Sequence, residues 1–411
     1  MRFIQLLLTL TVVPGICTQA PAQKPGDTPP PDIQANAKAL APELERAMAA
    51  KDEKAIYAVV EKIREALGPF AGIPESAERC VKPVKTQDPP LNGLVTAWDD
   101  LFKGALAKRG CRSEIAEKNQ MELRESAYIA MGCLTMTEAG GPEPTAYKAR
   151  AREELQYLMA RQAGSGLFPF PAYPAASAPN LVAMAERMRQ AHPEDVQNGY
   201  FITDRDGGMQ FDTGCCAYAL LQGYRALGDE RYLAAARKAG DWAVAHGLVA
   251  NWNYNSFSVW QLSALYDATR EQKYLDAAVE KALLGVLPGL MENGRWVDPH
   301  NAKQTYHFIM VRTLDELLRV LPKDSPRYGE IRNKTVLAAD SRAKDILRDG
   351  VSNSESALIA LSLVQQDLGP KPLWHDAANA IVNALIEQSK FDPISLPFYI
   401  RYRSRCVETG H

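Results

Sequence analysis

The feature that most restricts this chain is an internal repeat. Aligned with itself at one constant offset, the sequence pairs Ala217 with Val259, Leu220 with Leu262, Tyr224 with Tyr266, Ala226 with Ala268 and Tyr232 with Tyr274. The match continues through Leu233 and Leu275, Ala236 and Ala278, Val244 and Val286, and Gly247 and Gly289. A unit of this length holds two helices and two connections. Within it, Leu233, Ala236, Gly240 and Ala243 recur at steps of three or four, a small apolar stripe along which helices approach closely. Weaker copies run from Met121 to Arg161, Tyr306 to Leu347 and Ser356 to Ile386, which makes five hairpins. A sixth is expected from the helices read at Ala35 to Leu67 and Leu91 to Lys108. In the second of these, Leu94, Trp98, Leu101, Phe102 and Ala105 share a face, while Asp99 and Asp100, beside Lys103 and Lys108, are expected to face solvent. The unit is longer than the roughly 34 residues of a tetratricopeptide repeat, and its loops are irregular, so a ring is expected rather than an open solenoid.

The connections differ by end. Inner-to-outer turns are short, at Gly228-Asp229, Arg270 to Gln272, Pro322 to Pro326 and Leu368 to Pro372. Outer-to-inner connections are mostly long, from Ala163 to Asp212, Gly247 to Ser256 and Gly289 to Asp298, with a short one at Asp349 to Ser352. Because hairpins alternate direction, all the long loops fall at one end, where function usually resides. Asp212, Asn255 or Ser256, Asp298 ahead of Pro299, and Ser352 with Glu355 read as caps of the inner helices that follow. Inner-helix N-termini then point into one mouth, and their unpaired N–H groups are expected to favour an anionic group there.

Residues 1 to 22 combine Arg2, an apolar run from Phe3 to Val13 and an Ala20-Pro21-Ala22 ending, the layout of a secretory signal, so a secreted or periplasmic protein is expected, with no membrane association after its removal. Residues 23 to 34 read as a Pro-rich linker and 35 to 411 as one domain: N-terminal helices to 120, repeated hairpins from 121 to 390, and a C-terminal tail from 391. Cys80, Cys111, Cys133, Cys215, Cys216 and Cys406 remain, an even number in an exported chain. Disulfides are expected between Cys80 and Cys111 and between Cys133 and one of the vicinal pair. The bland alternative is buried thiols. With 47 basic and 49 acidic residues and a net charge of −2, the chain lacks a basic footprint for nucleic acid or membrane.

Chemistry-bearing side chains concentrate in three long loops. The first carries Tyr200, Asp204, Asp206 and Asp212, and paired carboxylates in a cleft are what glycoside hydrolysis requires. The second is Asn251-Trp252-Asn253-Tyr254-Asn255, in which aromatic faces can take sugar rings and amides can bond hydroxyls. The third supplies Arg295, Trp296, Asp298, His300, Gln304, Tyr306 and His307. There, His300, Gln304 and His307 are spaced to share one face of an inner helix. Asp212 and Asp298 also read as caps, Asp204 and Asp206 as a solvated turn, and Trp252 and the histidines as core. No metal site and no cofactor are expected.

The hairpin unit, the segment Leu155 to Phe170 and the loop-to-helix junctions resemble the six-hairpin, or (α/α)6-toroid, carbohydrate-active enzymes over about residues 121 to 390. That resemblance implies an all-α toroid, complete or incomplete, acting on an oligosaccharide or polysaccharide. The superfamily includes glycoside hydrolases, polysaccharide lyases and uronyl hydrolases. Asn253 with Tyr254 is also similar to the Asn and His or Tyr loop of toroidal alginate-type lyases. The histidine of that motif is absent from the loop, so His300 or His307 would replace it. In a hydrolase, Asp206 or Asp204 would pair with Asp298 or Asp212 as acid and base. In a lyase, Asn253 and Arg295 would neutralise a uronate carboxylate, and His300, His307 or Tyr306 would move the C5 proton. Tyr200, Asp212, Trp252, Asn253, Tyr254, Asn255, Arg295, Trp296 and Gln304 would line the substrate site. A non-catalytic carbohydrate-binding or structural toroid is the remaining alternative.

Overall fold

Some helices of this chain are apolar on one face and others on every face, and the two kinds form two concentric layers. The computed structural model describes residues 28–82, 85–106, 123–172 and 179–409. The signal-like segment, Cys17 and Cys111 lie outside them. The inner layer consists of α5 (Leu123–Glu138), α8 (Met209–Leu227), α10 (Trp252–Thr269), α12 (Gln304–Val320), α14 (Ser354–Asp367) and α16 (Leu396–Thr409). Each packs on the next, and α16 packs back on α5, so the ring of six is complete. Every residue of α10 from Trp252 to Leu265 is buried.

The outer layer consists of α4 (Leu91–Leu101), α6 (Pro144–Arg161), α9 (Glu230–Ala245), α11 (Gln272–Gly285), α13 (Tyr328–Asp349) and α15 (Pro372–Glu387). The small stripe of α9 turns inward, with Leu233, Ala236, Gly240 and Ala243 all buried. Two inner-to-outer turns, one repeat apart, end their helices alike, with Gly228 at φ 70° and Arg270 at φ 58°. Both are left-handed caps, and Arg270 adopts unaided a conformation that glycine reaches more cheaply.

All five hairpins read from the repeat are present. The sixth is assembled from the two ends of the chain. Its outer helix is α4, but its inner helix is α16, from residues read as a C-terminal tail. Trp98 of α4 donates to the Pro393 carbonyl at 2.9 Å, just ahead of α16. Helices α1 (Pro31–Lys38), α2 (Ala41–Ala49) and α3 (Glu53–Leu67) pack together instead, with α3 resting on α11 outside the ring. Helix α1 begins inside the segment read as a linker. Asp99 is buried rather than solvent-facing, because the Tyr147 hydroxyl donates to it at 2.7 Å and Lys103 at 2.5 Å.

Among the described residues, Cys80, Cys133, Cys215 and Cys216 are free thiols. The expected bridge from Cys133 to the vicinal pair is therefore not formed. Cys215 faces the Tyr128 hydroxyl at 3.5 Å, whereas the charged neighbours of Cys133 are Arg150 and Glu154 of α6. Burial pushes both thiols up to about 12, so these cysteines are inert core side chains. The expected partner of Cys80 is Cys111, outside the described residues.

Candidate functional site

The inner helices all begin at the end of the ring that carries the long connections. The first connection holds helix α7 (Pro179–Ala191) and a three-stranded sheet in the order β1 (Phe170–Pro171), β3 (Tyr200–Phe201), β2 (Val196–Gln197). A second apolar cluster, including Leu167, Phe170, Met184, Phe201 and Met209, holds this connection as a small packed unit over one side of the mouth. Tyr200 is buried in the sheet, its hydroxyl 3.2 Å from that of Tyr157.

Several helix starts differ from the reading of the sequence, and each difference moves a candidate residue. Helix α8 begins at Met209, so Asp212 lies within its first turn instead of capping it, and accepts from Arg124 Nε at 3.1 Å. Helix α10 begins at Trp252, which puts the Asn-Trp-Asn-Tyr-Asn cluster into a helical turn. Asn255 accepts from Val249 N and donates to the Val249 and Gly285 carbonyls, tying the preceding loop to α11. Trp252 is buried against Gly289, where any Cβ would meet its indole at 2.5 Å. Asn253 donates to Asn301 Oδ1 at 2.8 Å.

Helix α12 begins at Gln304, not beside Pro299, so His300 is not on the helix and shares no face with His307. Asp298 caps the turn before it, accepting from Asn301 N at 2.9 Å, and burial raises its carboxyl above the usual range. His307 turns outward. Its Nε2 donates to the Ala338 carbonyl of α13 at 2.9 Å, its ring meets Trp296 edge-on, and burial lowers its proton affinity well below the ordinary value. Trp296 is fully buried and donates to the Val286 carbonyl. Arg295 pairs with Asp345 of α13 at 2.5 Å, on the outside of the ring. Gln304 holds the neighbouring loop through Gly350 O and Ser352 N. The cap of α14 is Asn353, which accepts from Ser356 N, rather than Ser352.

Asp204, Asp206, Tyr254, Tyr306 and His300 are brought together. Tyr254 feels the charges of Asp206, Arg124 and Asp204, and its hydroxyl is raised by burial. Tyr306 stacks on His300 with centroids 4.5 Å apart. His300 Nδ1 donates to Glu75 at 3.0 Å, leaving its buried Nε2 without a partner among the described residues. Asp204 lies 3.2 Å from His246 Nε2. Asp206 is open to solvent and accepts from Gly208 N. Although the residue is exposed, protein atoms packed around its carboxyl and, second, the like charge of Asp204 push it up to about 6.

Sequence reasoning gave no part in the site to Glu75, Glu78 and Arg124, and read Glu355 only as a cap. Glu75 and Glu78 arrive on a strap from the N-terminal part of the chain, remote in sequence from the loops they meet. Glu78 accepts from Gln304 N at 2.9 Å and Ser352 Oγ at 2.7 Å, so the positive end of α12 is already neutralised by the chain itself. Arg124 stands in the first turn of α5, 4.3 Å over the Phe211 ring. Glu355, in the first turn of α14, faces Asp392 ahead of α16. Burial first, and Asp392 second, push its carboxyl up to about 8 against the pull of Arg312. Its place at the mouth start of an inner helix was the available signal.

Glu75 has the opposite shift. Burial alone would raise it, but His300 and Lys303, at 3.0 and 2.8 Å, bring it down to about 2. The unfolded chain therefore binds this proton more readily. The stabilisation is complete above pH 4.5 and is lost as pH falls toward 2. Glu75→Gln is expected to flatten the dependence of stability on pH across that window, measured by urea unfolding at a series of pH values.

The group of metal-ligand types among the described residues is His192, Glu194 and Asp195, but Arg205 pairs with both acids and occupies that place with a cation.

No family model matches this chain, and no curated protein matches it. Solved structures similar to it include the glycosyl hydrolase family 88 protein of Bacteroides vulgatus, 11% identical over 77% of this chain and 98% of that one, with a TM-score of 0.48. A polysaccharide lyase is 12% identical over 77% and 99%, with a TM-score of 0.47. The endoglucanase CelQ of Clostridium thermocellum, complexed with cellotriose, is 14% identical over 65% of this chain, with a TM-score of 0.42, and the match spans about half of that enzyme, 47%. These are proteins of the kind the hairpin repeat resembles.

Proposed function

We propose that this protein is a carbohydrate-active enzyme that cleaves glycosidic bonds of an oligosaccharide or polysaccharide by hydrolysis, with Asp206 as a catalytic carboxylate. The observation that carries the reading is the state of the carboxyl groups around the mouth. Asp212 is held by Arg124, Glu75 by His300 and Lys303, Glu78 by Gln304 N, and Asp298 by Asn301. Asp206 has no cationic partner among the described residues, opens to solvent and titrates near the pH at which acid–base catalysis works best.

Elimination at a uronate is supported less well. It needs cations or amides free to neutralise the sugar carboxylate, yet Arg295 is committed to Asp345, Asn253 to Asn301, and the start of α12 to Glu78. A mouth this rich in acid favours a neutral sugar. The signal-like residues 1 to 22 support an activity outside the cytoplasm. The test is incubation with a panel of neutral and uronic polysaccharides, following reducing ends and ultraviolet absorbance together. Reducing ends without absorbance are expected. An unsaturated uronate product would replace hydrolysis by elimination, and no cleavage of any glycan would overturn the enzyme reading.

A further inference from the structure

We propose that Glu355 is the proton donor to the leaving-group oxygen, acting from the wall of the mouth opposite Asp206; the assignment rests on the hydrolase reading above. Counted round the ring, α14 lies three places from α8, so the first turn of α14 faces the side of the mouth from which the Asp204 to Asp206 turn enters α8. Neighbouring axes in such packing are about 8–10 Å apart, which sets opposite axes at roughly twice that, room for a sugar ring and a water between carboxyl groups.

Capping does not account for Glu355. The cap of α14 is Asn353, and Glu355, two residues after it, is one short of the position from which a capping-box glutamate reaches back. It makes no hydrogen bond or ion pair among the described residues, and it is partly open to solvent. The charged and titratable groups around it are Asp392, Arg312 of α12 and Tyr128 of α5. Arg312 is buried below, donating to the Tyr128 hydroxyl at 2.7 Å with its guanidinium over the Trp260 ring. Burial raises the Asp392 carboxyl as well, but it accepts from Ile394 N at 3.0 Å and Ser395 N at 2.8 Å, bonds that favour its anionic form and that Glu355 lacks. Of the two facing carboxyl groups, Glu355 is therefore the one that keeps the proton. At neutral pH the pair across the mouth is then one acid, Glu355, and one base, Asp206.

In the reaction, the Glu355 O–H bond breaks and the proton passes to the glycosidic oxygen. The bond from the anomeric carbon to that oxygen breaks, and its electrons stay on oxygen. A water oxygen bonds to the anomeric carbon as Asp206 takes its proton. Exchange with solvent restores both carboxyl groups.

Leaving-group chemistry provides the test. Glu355→Gln and Asp392→Asn are compared with wild type on the polysaccharide it cleaves and on the glycosyl fluoride of the same sugar, whose fluoride departs without protonation. Glu355→Gln is expected to lose a hundred- to ten-thousandfold, as a rough range, on the polysaccharide and to stay within about tenfold on the fluoride. Asp392→Asn is expected to remain active and to move the alkaline limb of the pH–rate profile down by roughly one unit, because removal of the like charge lets Glu355 ionise sooner. Equal losses on both substrates, or an unmoved alkaline limb, overturn the assignment while the hydrolase reading stands. A wild type that cleaves no glycan overturns both. If Glu355→Gln does not fold, the limb shift in Asp392→Asn decides the question.

Discussion

Asp206→Asn is expected to lower kcat on the susceptible glycan by roughly a hundred- to ten-thousandfold, the range that a positioned acid or base contributes. The amide has nearly the shape of the carboxylate and can still accept from Gly208 N, so the turn from Asp204 to Gly208 should keep its form. KM should move little, because the lost group acts in the transition state. The pH profile gives the sharper readout. A base must be ionised to work, so the wild-type rate should climb as pH rises through about 6, and the variant should lose that limb. Initial rates between pH 4 and 9, with thermal unfolding as a check on folding, measure both. A loss of less than about tenfold would remove Asp206 from the chemistry.

Gly214→Val is expected to destabilise the fold by about 1–3 kcal/mol or more through overpacking. Gly214 stands where α8 crosses α10. A Cβ there would meet the Phe257 carbonyl oxygen at 2.6 Å and the Phe257 Cβ at 2.7 Å. The first of these is backbone, which does not rotate aside, so one inner helix must shift against the other. The same crossing carries the Phe211 and Phe257 rings, 4.1 Å apart between centroids, and the other side of Phe211 meets Arg124 of α5, which holds Asp212. The substitution should therefore lower the unfolding midpoint in urea and also reduce glycan cleavage, whereas Gly228→Ala in the exposed turn should affect stability alone. An unchanged midpoint would show that the crossing has slack.

The outer helices and the stripe Leu233, Ala236, Gly240, Ala243 were legible because small residues at helical spacing have one economical use, close packing. The last inner helix was not. Arg401, Arg403 and Arg405 make residues 396 to 405 look solvated, and only the fold shows Arg403 donating to Asp88 and to Tyr399 while Tyr399 and Tyr402 are buried. Helix starts failed for a related reason. Asp298 ahead of Pro299 is a sound local cap signal, but the chain spends it on a turn and begins α12 only at Gln304, where a carboxylate from a distant segment, Glu78, accepts from the first N–H. No window of sequence contains that partner. Within the candidate site, Asp204, Asp206, His300, Tyr254 and Tyr306 were named from loop composition. His307, Trp296 and Arg295 share those loops, yet they face the outer layer, because which side of a helix or turn a residue occupies depends on where the helix begins.

Closing the ring through α4 and α16 also sets an order of events. During synthesis, α5 emerges early, and one of its inner neighbours, α16, follows only after every other helix of the ring. Until then the flank of α5 at Gly132, where a Cβ would meet the Pro393 carbonyl oxygen at 2.8 Å, has an incomplete lining, and the last contact must close a loop that holds most of the chain. Assembly is therefore completed only at the final helix, and a nascent chain of this protein carries exposed apolar surface for most of its translation.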